Sequence, residues 1–129
     1  MATLEQSRAR FALERVEAIK GKGPDKKAKY KTQLLKLPAR LHANGLGQTV
    51  AFYLAAGEKS PEAEICGWLE SWFHKRKLYA DKPLIDGVVG KDMTEAAAEV
   101  SYRRASAEAR ALAVWLKRFA EAFIEGERE

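Results

Sequence analysis

The 129-residue chain carries 23 Lys and Arg against 18 Asp and Glu, a formal charge of +5, with 47% hydrophobic residues and a single cysteine, Cys66. That composition excludes an internal disulfide, suits a reducing cytoplasm, and reads as a folded, water-soluble chain rather than a disordered one. No apolar run reaches the ~18–20 residues that a bilayer requires, so no membrane is expected among its partners.

The opening MATLEQSRARFALE alternates charge with apolar residues and lacks the apolar core of a signal peptide. Thr3 and Gln6 have capping-box spacing. Leu4, Phe11, Ala12, Val16 and Ile19 recur at the helical period, so the pattern predicts a helix from about Leu4 to Lys20, stopped at Gly21. Arg8 and Arg15 project towards the same side as Leu4, Phe11 and Ile19. A charge there must snorkel, pair or enter an interface, and a structural ion pair is the simpler reading than contact with RNA.

After the turn GKGPD, Asp25 can cap a second helix with Tyr30, Leu34, Leu37 and Leu41 on one face. Pro38 predicts a kink or break near Leu37, followed by a short helical piece from Pro38 to Ala43 that Asn44-Gly45 ends. A third helix, about Leu46 to Ala56, is apolar nearly all round, which predicts that it is buried at the centre of the fold, Phe52 included. Gly45 and Gly47 follow no strand, so a dinucleotide-binding turn fails its own context test.

A fourth helix is predicted from about Pro61 to Leu78, capped by Ser60, with Ile65, Trp68, Leu69, Trp72 and Phe73 as a wide apolar face. Its tryptophans share that stripe with Ile65 and Leu69, so they read as core rather than base-stacking platforms. Tyr79 to Lys91 reads as a connection with one helical turn around Leu84–Val88. The last helix is expected from Asp92, paired with Glu95 in a capping box, to about Glu125, with room for a bend at Ser101–Ser106. Leu112, Trp115, Leu116, Phe119 and Phe123 define its buried face. No segment alternates as a strand would. The expectation is therefore an all-α fold: residues 1–129 as one domain, a compact bundle of about five to seven helices, with Phe52, Trp68, Trp72, Trp115 and Phe119 largely buried.

Catalytic chemistry finds little support. Neither His42 nor His74 has a Glu three residues before it, so the Glu-x-x-His pairs of a di-metal bundle are missing. Glu70 and His74 have the spacing of an ordinary surface contact. Cys66 falls inside an apolar pattern and reads as an inert core thiol. No Walker loop or G-x-S-x-G elbow occurs. No catalytic residue, metal ligand or cofactor is assigned. A small helical hydrolase is the poorer reading.

Charge placement says more. Lys20 to Arg40 holds eight basic residues and one acid, Asp25, a net +7 that leaves −2 for the rest of the chain. At ~100° per residue Lys29, Gln33, Lys36 and Arg40 fall on one stripe. Arg103, Arg110 and Lys117 recur every seven residues, opposite Leu112, Trp115 and Phe119. Cationic stripes can follow a phosphate backbone without reading bases. The competing reading is a solvated face carrying i,i+4 pairs such as Lys117 with Glu121.

Three segments then carry a resemblance. LEQSRARFALERV, the run Lys29-Tyr30-Lys31 with KLPARLHANGLGQTVAF, and Trp115-Leu116-Lys117-Arg118-Phe119-Ala120 resemble, in order, the opening, middle and closing parts of the small helical subunit of the type III-B CRISPR RNA-guided effector, the Cmr family. Residues 58–91 match only in character. The resemblance implies an all-α, non-catalytic protein without a cofactor. It implies copies of itself stacked beside the repeated backbone subunits of the effector, near the guide RNA–target RNA duplex. Target cutting then belongs to the backbone subunit, and nucleotide cyclisation and DNA cleavage to the large subunit. The partners so implied are other subunits of that complex, further copies of this chain, and guide and target RNA in the cytoplasm, in antiviral defence. Lys29, Lys36, Arg40, Arg103, Arg110, Lys117 and Arg118 are the candidate RNA-binding residues. The alternative is a stand-alone helical nucleic-acid-binding or adaptor protein.

Overall fold

The computed structural model describes residues 2–125 and is all-α, with no strand among the described residues. The helices are α1 (Leu4–Ile19), α2 (Pro24–Leu54), α3 (Pro61–Lys75), α4 (Leu84–Val88) and α5 (Glu95–Phe123), with a 3-10 turn at Tyr79–Asp81. The chain divides into two compact units: residues 1–39 with 110–129, and residues 40–109.

The first unit comprises α1, the opening part of α2 and the closing part of α5. Thr3 and Gln6 form the expected capping box, each side chain accepting from the other's backbone N–H at 3.0 and 2.9 Å. Two of the four donors left open at a helix N-terminus are thereby satisfied. Phe11, Ala12, Val16 and Ile19 are buried on α1, Tyr30, Leu34 and Leu37 on α2, and Leu112, Ala113, Leu116 and Ala120 on α5. Arg15 lies over the Phe11 ring at 4.2 Å and pairs with Glu14, while Arg8 pairs with Glu5 at 3.1 Å. Both arginines pair locally, and Arg15 also caps an aromatic ring, as positions on the apolar side require.

Two corrections arise on α5. Trp115 and Phe119 are half-buried and Phe123 is exposed. The buried stripe is Leu112, Leu116 and Ala120, while the Trp115, Phe119 and Phe123 rings follow one another along the neighbouring stripe, the first pair tilted at 5.5 Å and the second stacked at 6.0 Å. The large rings pulled the predicted face to one side, whereas alanine, neutral in hydropathy, is what lets a helix approach closely. The helix also begins later than expected. Thr94, not Asp92, provides the cap, its hydroxyl accepting from Ala97 N–H at 3.2 Å. Asp92 instead adopts φ 60° in the preceding turn. No bend interrupts Ser101–Ser106.

α2 also departs from expectation. It runs through Pro38, and its one non-helical residue is Gly45, at φ 82° and ψ 168°. The proline forfeits one hydrogen bond, a cost of ~3 kcal/mol. Leu34, Leu37 and Leu41 in the flanking turns are all buried, each worth ~1.5–3 kcal/mol, so burial wins. The Gly45 conformation belongs to a region essentially closed to residues with a Cβ.

The second unit holds Arg40–Leu54 of α2, then α3, the turn, α4 and the opening of α5. Ser60 caps α3 as predicted, accepting from Ala63 N–H at 3.0 Å. Trp68, Trp72, Ile65, Leu69 and Phe73 are buried, as their spacing requires. α4 occupies the single turn foreseen at Leu84–Val88. The connection before it holds Lys77, Tyr79, Ala80 and Asp81 at positive φ, an unusual run for non-glycine residues. It is held by the Tyr79 ring set edge-on to Phe73 and by His74 Nε2–H donating to the Lys82 carbonyl at 2.8 Å. Glu70 accepts from Leu84 N–H at 2.6 Å, so Glu70 and His74 each serve the connection rather than one another.

The third predicted element is corrected most. Beyond Gly45 only Leu46, Thr49, Val50 and Tyr53 face inward, while Phe52 is 61% exposed and Leu54 41%. A helix apolar all round is thus half solvent-facing.

Candidate nucleic-acid interface

In the first unit Lys29, Lys36 and Arg110 are exposed and Lys117 is half-buried. None of the four has an ion pair or side-chain hydrogen bond among the described residues. Arg118 pairs with Glu121 at 3.7 Å, taking the partner expected for Lys117. Both groups of that pair are well exposed, so the bond contributes little and opens readily. Lys31, in the middle of the basic run, behaves differently. It is only 5% exposed, and its ammonium donates to the Ile124 carbonyl just beyond α5 at 2.8 Å. A cation at a helix C-terminus satisfies an open carbonyl and complements the helix dipole. Sequence reasoning missed this role because nothing local distinguishes Lys31 from Lys29.

In the second unit Arg103 is exposed and pairs loosely with Glu99 at 3.9 Å. Arg76 and Arg104 line a small cleft that also contains Glu108. Glu108 accepts from Trp72 Nε1–H at 3.0 Å and stands 3.9 Å from Arg76 Nε, which partly neutralises that cleft.

Arg40 is the most elaborately held of the candidates. Its guanidinium donates to the Tyr53 hydroxyl at 3.1 Å and lies 5.4 Å from the Tyr53 ring centroid and 5.1 Å from that of Phe52. The backbone beneath it is fixed too. Across the break at Gly45 the Arg40 carbonyl accepts from Thr49 Oγ1 at 3.1 Å. Gly47 N–H donates to the Tyr102 hydroxyl at 2.9 Å. A Cβ on Gly47 would press to 3.3 Å on Val88 and 3.4 Å on Tyr102, so the glycine keeps that hydroxyl within reach. Burial pushes the Tyr53 hydroxyl above its ordinary pKa, opposed by the Arg40 hydrogen bond and charge. Tyr53 therefore stays protonated at neutral pH.

Cys66 is buried with its thiol towards the Val50 carbonyl, and burial, with a smaller contribution from the Glu70 carboxylate, pushes it up to about 12. It is protonated and unreactive at neutral pH. Among the described residues no group of three or more His, Cys, Asp or Glu is placed to hold a metal ion. No helix is long and apolar enough to cross a membrane.

The fold and these surfaces define an all-α protein whose cations are spread along helix faces. Residues 4–123 match the family model described as CRISPR-associated protein (Cas_Cmr5). The chain is 34% identical to the CRISPR system Cmr subunit Cmr5 of Thermus thermophilus, over 97% of its own length and 99% of that protein's. The chain belongs to this family, the small-subunit family of the type III-B CRISPR Cmr complex that its sequence resembles.

Proposed function

We propose that this protein is a non-catalytic subunit of a cytoplasmic CRISPR Cmr ribonucleoprotein, with residues 1–129 acting as a single domain. In this reading it joins further copies of itself and the other Cmr subunits in the inner filament and supports guide RNA–target RNA binding electrostatically. The observation that carries the RNA part is the set Lys29, Lys36, Arg110 and Lys117, cations without an ion partner among the described residues. Family membership supports the assembly part. Sequence selection in such a complex rests on guide pairing, so the protein needs to recognise only backbone and shape.

The test replaces Arg103, Arg110 and Lys117 together by Ala in the reconstituted complex. Target affinity should fall, and the dependence of log affinity on log salt should flatten by about 0.7–0.9 for each phosphate no longer neutralised. An unchanged affinity and slope in a complex that still incorporates the subunit rules these residues out. Failed incorporation assigns them to subunit packing.

A further inference from the structure

We propose that Phe52, with Arg40 fixed beside it, is a stacking seat for an unpaired nucleobase of an RNA strand. The inference rests on the RNA-binding reading above and adds a contact with a base to contacts with phosphates.

Phe52 is the most exposed aromatic side chain among the described residues, at 61%. Its neighbours on the same helix face, Gln48, Ala51 and Ala55, are also exposed, and all but Gln48 are small. They leave the ring accessible to a flat group. A large apolar ring turned to solvent has no folding advantage there, while Val50 and Tyr53 on either side are buried.

The cation beside it is not a wandering surface arginine. The Tyr53 hydroxyl, itself buried and protonated, holds Arg40 at 3.1 Å, and the two rings flank the guanidinium at 5.1 and 5.4 Å. Gly45, Thr49 and Tyr102 fix the bend that brings residue 40 to residue 52. An exposed π-face next to a permanent positive charge matches a nucleotide on two counts. The base stacks on the ring, and the phosphodiester meets the charge. Every base has a π-face, so such a seat tolerates any sequence. The charge also decides against an apolar peptide as the occupant, because seating one would desolvate the guanidinium with nothing anionic in return.

The test uses the full chain and a 20-nucleotide single-stranded RNA, as oligouridine and as oligoadenosine, in a salt series. A 4-thiouridine version is photocrosslinked and the adducts mapped by mass spectrometry. Phe52→Ala should weaken binding about 5- to 150-fold with an unchanged salt slope, since stacking releases no counterion. Phe52→Trp should restore it, and crosslinks should map to Phe52. Because the residue is exposed, the melting curves of both variants should match the parent. Parent-like binding by Phe52→Ala, with crosslinks confined to Lys29, Lys36 or the α5 cations, overturns the seat and leaves electrostatic RNA binding standing. No RNA bound by the parent chain overturns the seat, while the electrostatic reading stands or falls on the reconstituted complex. Parent-like RNA binding by Phe52→Ala together with loss of assembly into the Cmr complex makes the ring a protein contact and overturns the seat.

Discussion

The two units solve the same packing problem by different means. In the residues 1–39 and 110–129 unit, the buried positions are mostly aliphatic and alanine and follow one helical period. None of its described residues has a positive φ. In the residues 40–109 unit, every positive-φ residue of the described chain is concentrated, from Gly45 to Asp92. Its core relies on Tyr53, Trp68, Trp72, Phe73 and Tyr79. The first unit is held by repetition of a pattern. The second is held by side chains that satisfy backbone groups at breaks, such as Tyr102 at Gly47 and Glu70 at Leu84. Arg40 and Phe52 are brought together where the pattern breaks, because a break re-aims the side chains that follow it.

The contrast is sharpened most by Leu116→Ala beside Phe119→Ala. Leu116 is fully buried, so its truncation should cost ~2–5 kcal/mol, while the half-buried Phe119 should cost clearly less. Thermal melts of the two variants rank them. A larger loss for Phe119 would put the aromatic stripe, not the Leu112–Leu116–Ala120 stripe, at the centre of that unit. Next in size is Gly45→Ala, which forces a Cβ into a conformation costing on the order of 1–3 kcal/mol. It should also displace Arg40 from Phe52 and Tyr53, read as a change in the near-ultraviolet circular dichroism of the aromatic residues. An unaltered melt would mean that the bend at 45 is not required. The smallest effect is expected from Tyr102→Phe, which leaves the Gly47 N–H without its acceptor at a cost of about 1 kcal/mol. Hydrogen exchange at Gly47 should quicken while amides in the first unit stay unchanged.

Much of the fold was legible because helical period and cap chemistry are local. The boundaries of α1, the Ser60 cap of α3 and the single turn at Leu84–Val88 all follow from residues within a few positions of each other. Two misjudged features, at Pro38 and Phe52, have the opposite property. Pro38 argues locally for a break, yet burial of Leu34, Leu37 and Leu41 overrides it. Phe52 looks like core by hydropathy. Its exposed setting was hinted at only by Gln48 four residues before it and Ala55 three after.

The sequence alone determined the all-α class, the family and the inventory of cations, because composition, period and motif order need no third dimension. Where each cation sits, and what holds it, was decided only by the tertiary structure. Lys29 and Lys31 differ by two positions, or about 200° around a helix. One is left in solvent and the other is buried on the Ile124 carbonyl. Arg40 became a fixed partner of two aromatic rings because Gly45 turned the chain and Tyr102, 55 residues beyond Gly47, accepted the amide that the turn released. The free energy of a charge depends on what surrounds it, and those surroundings come from residues far away in the chain.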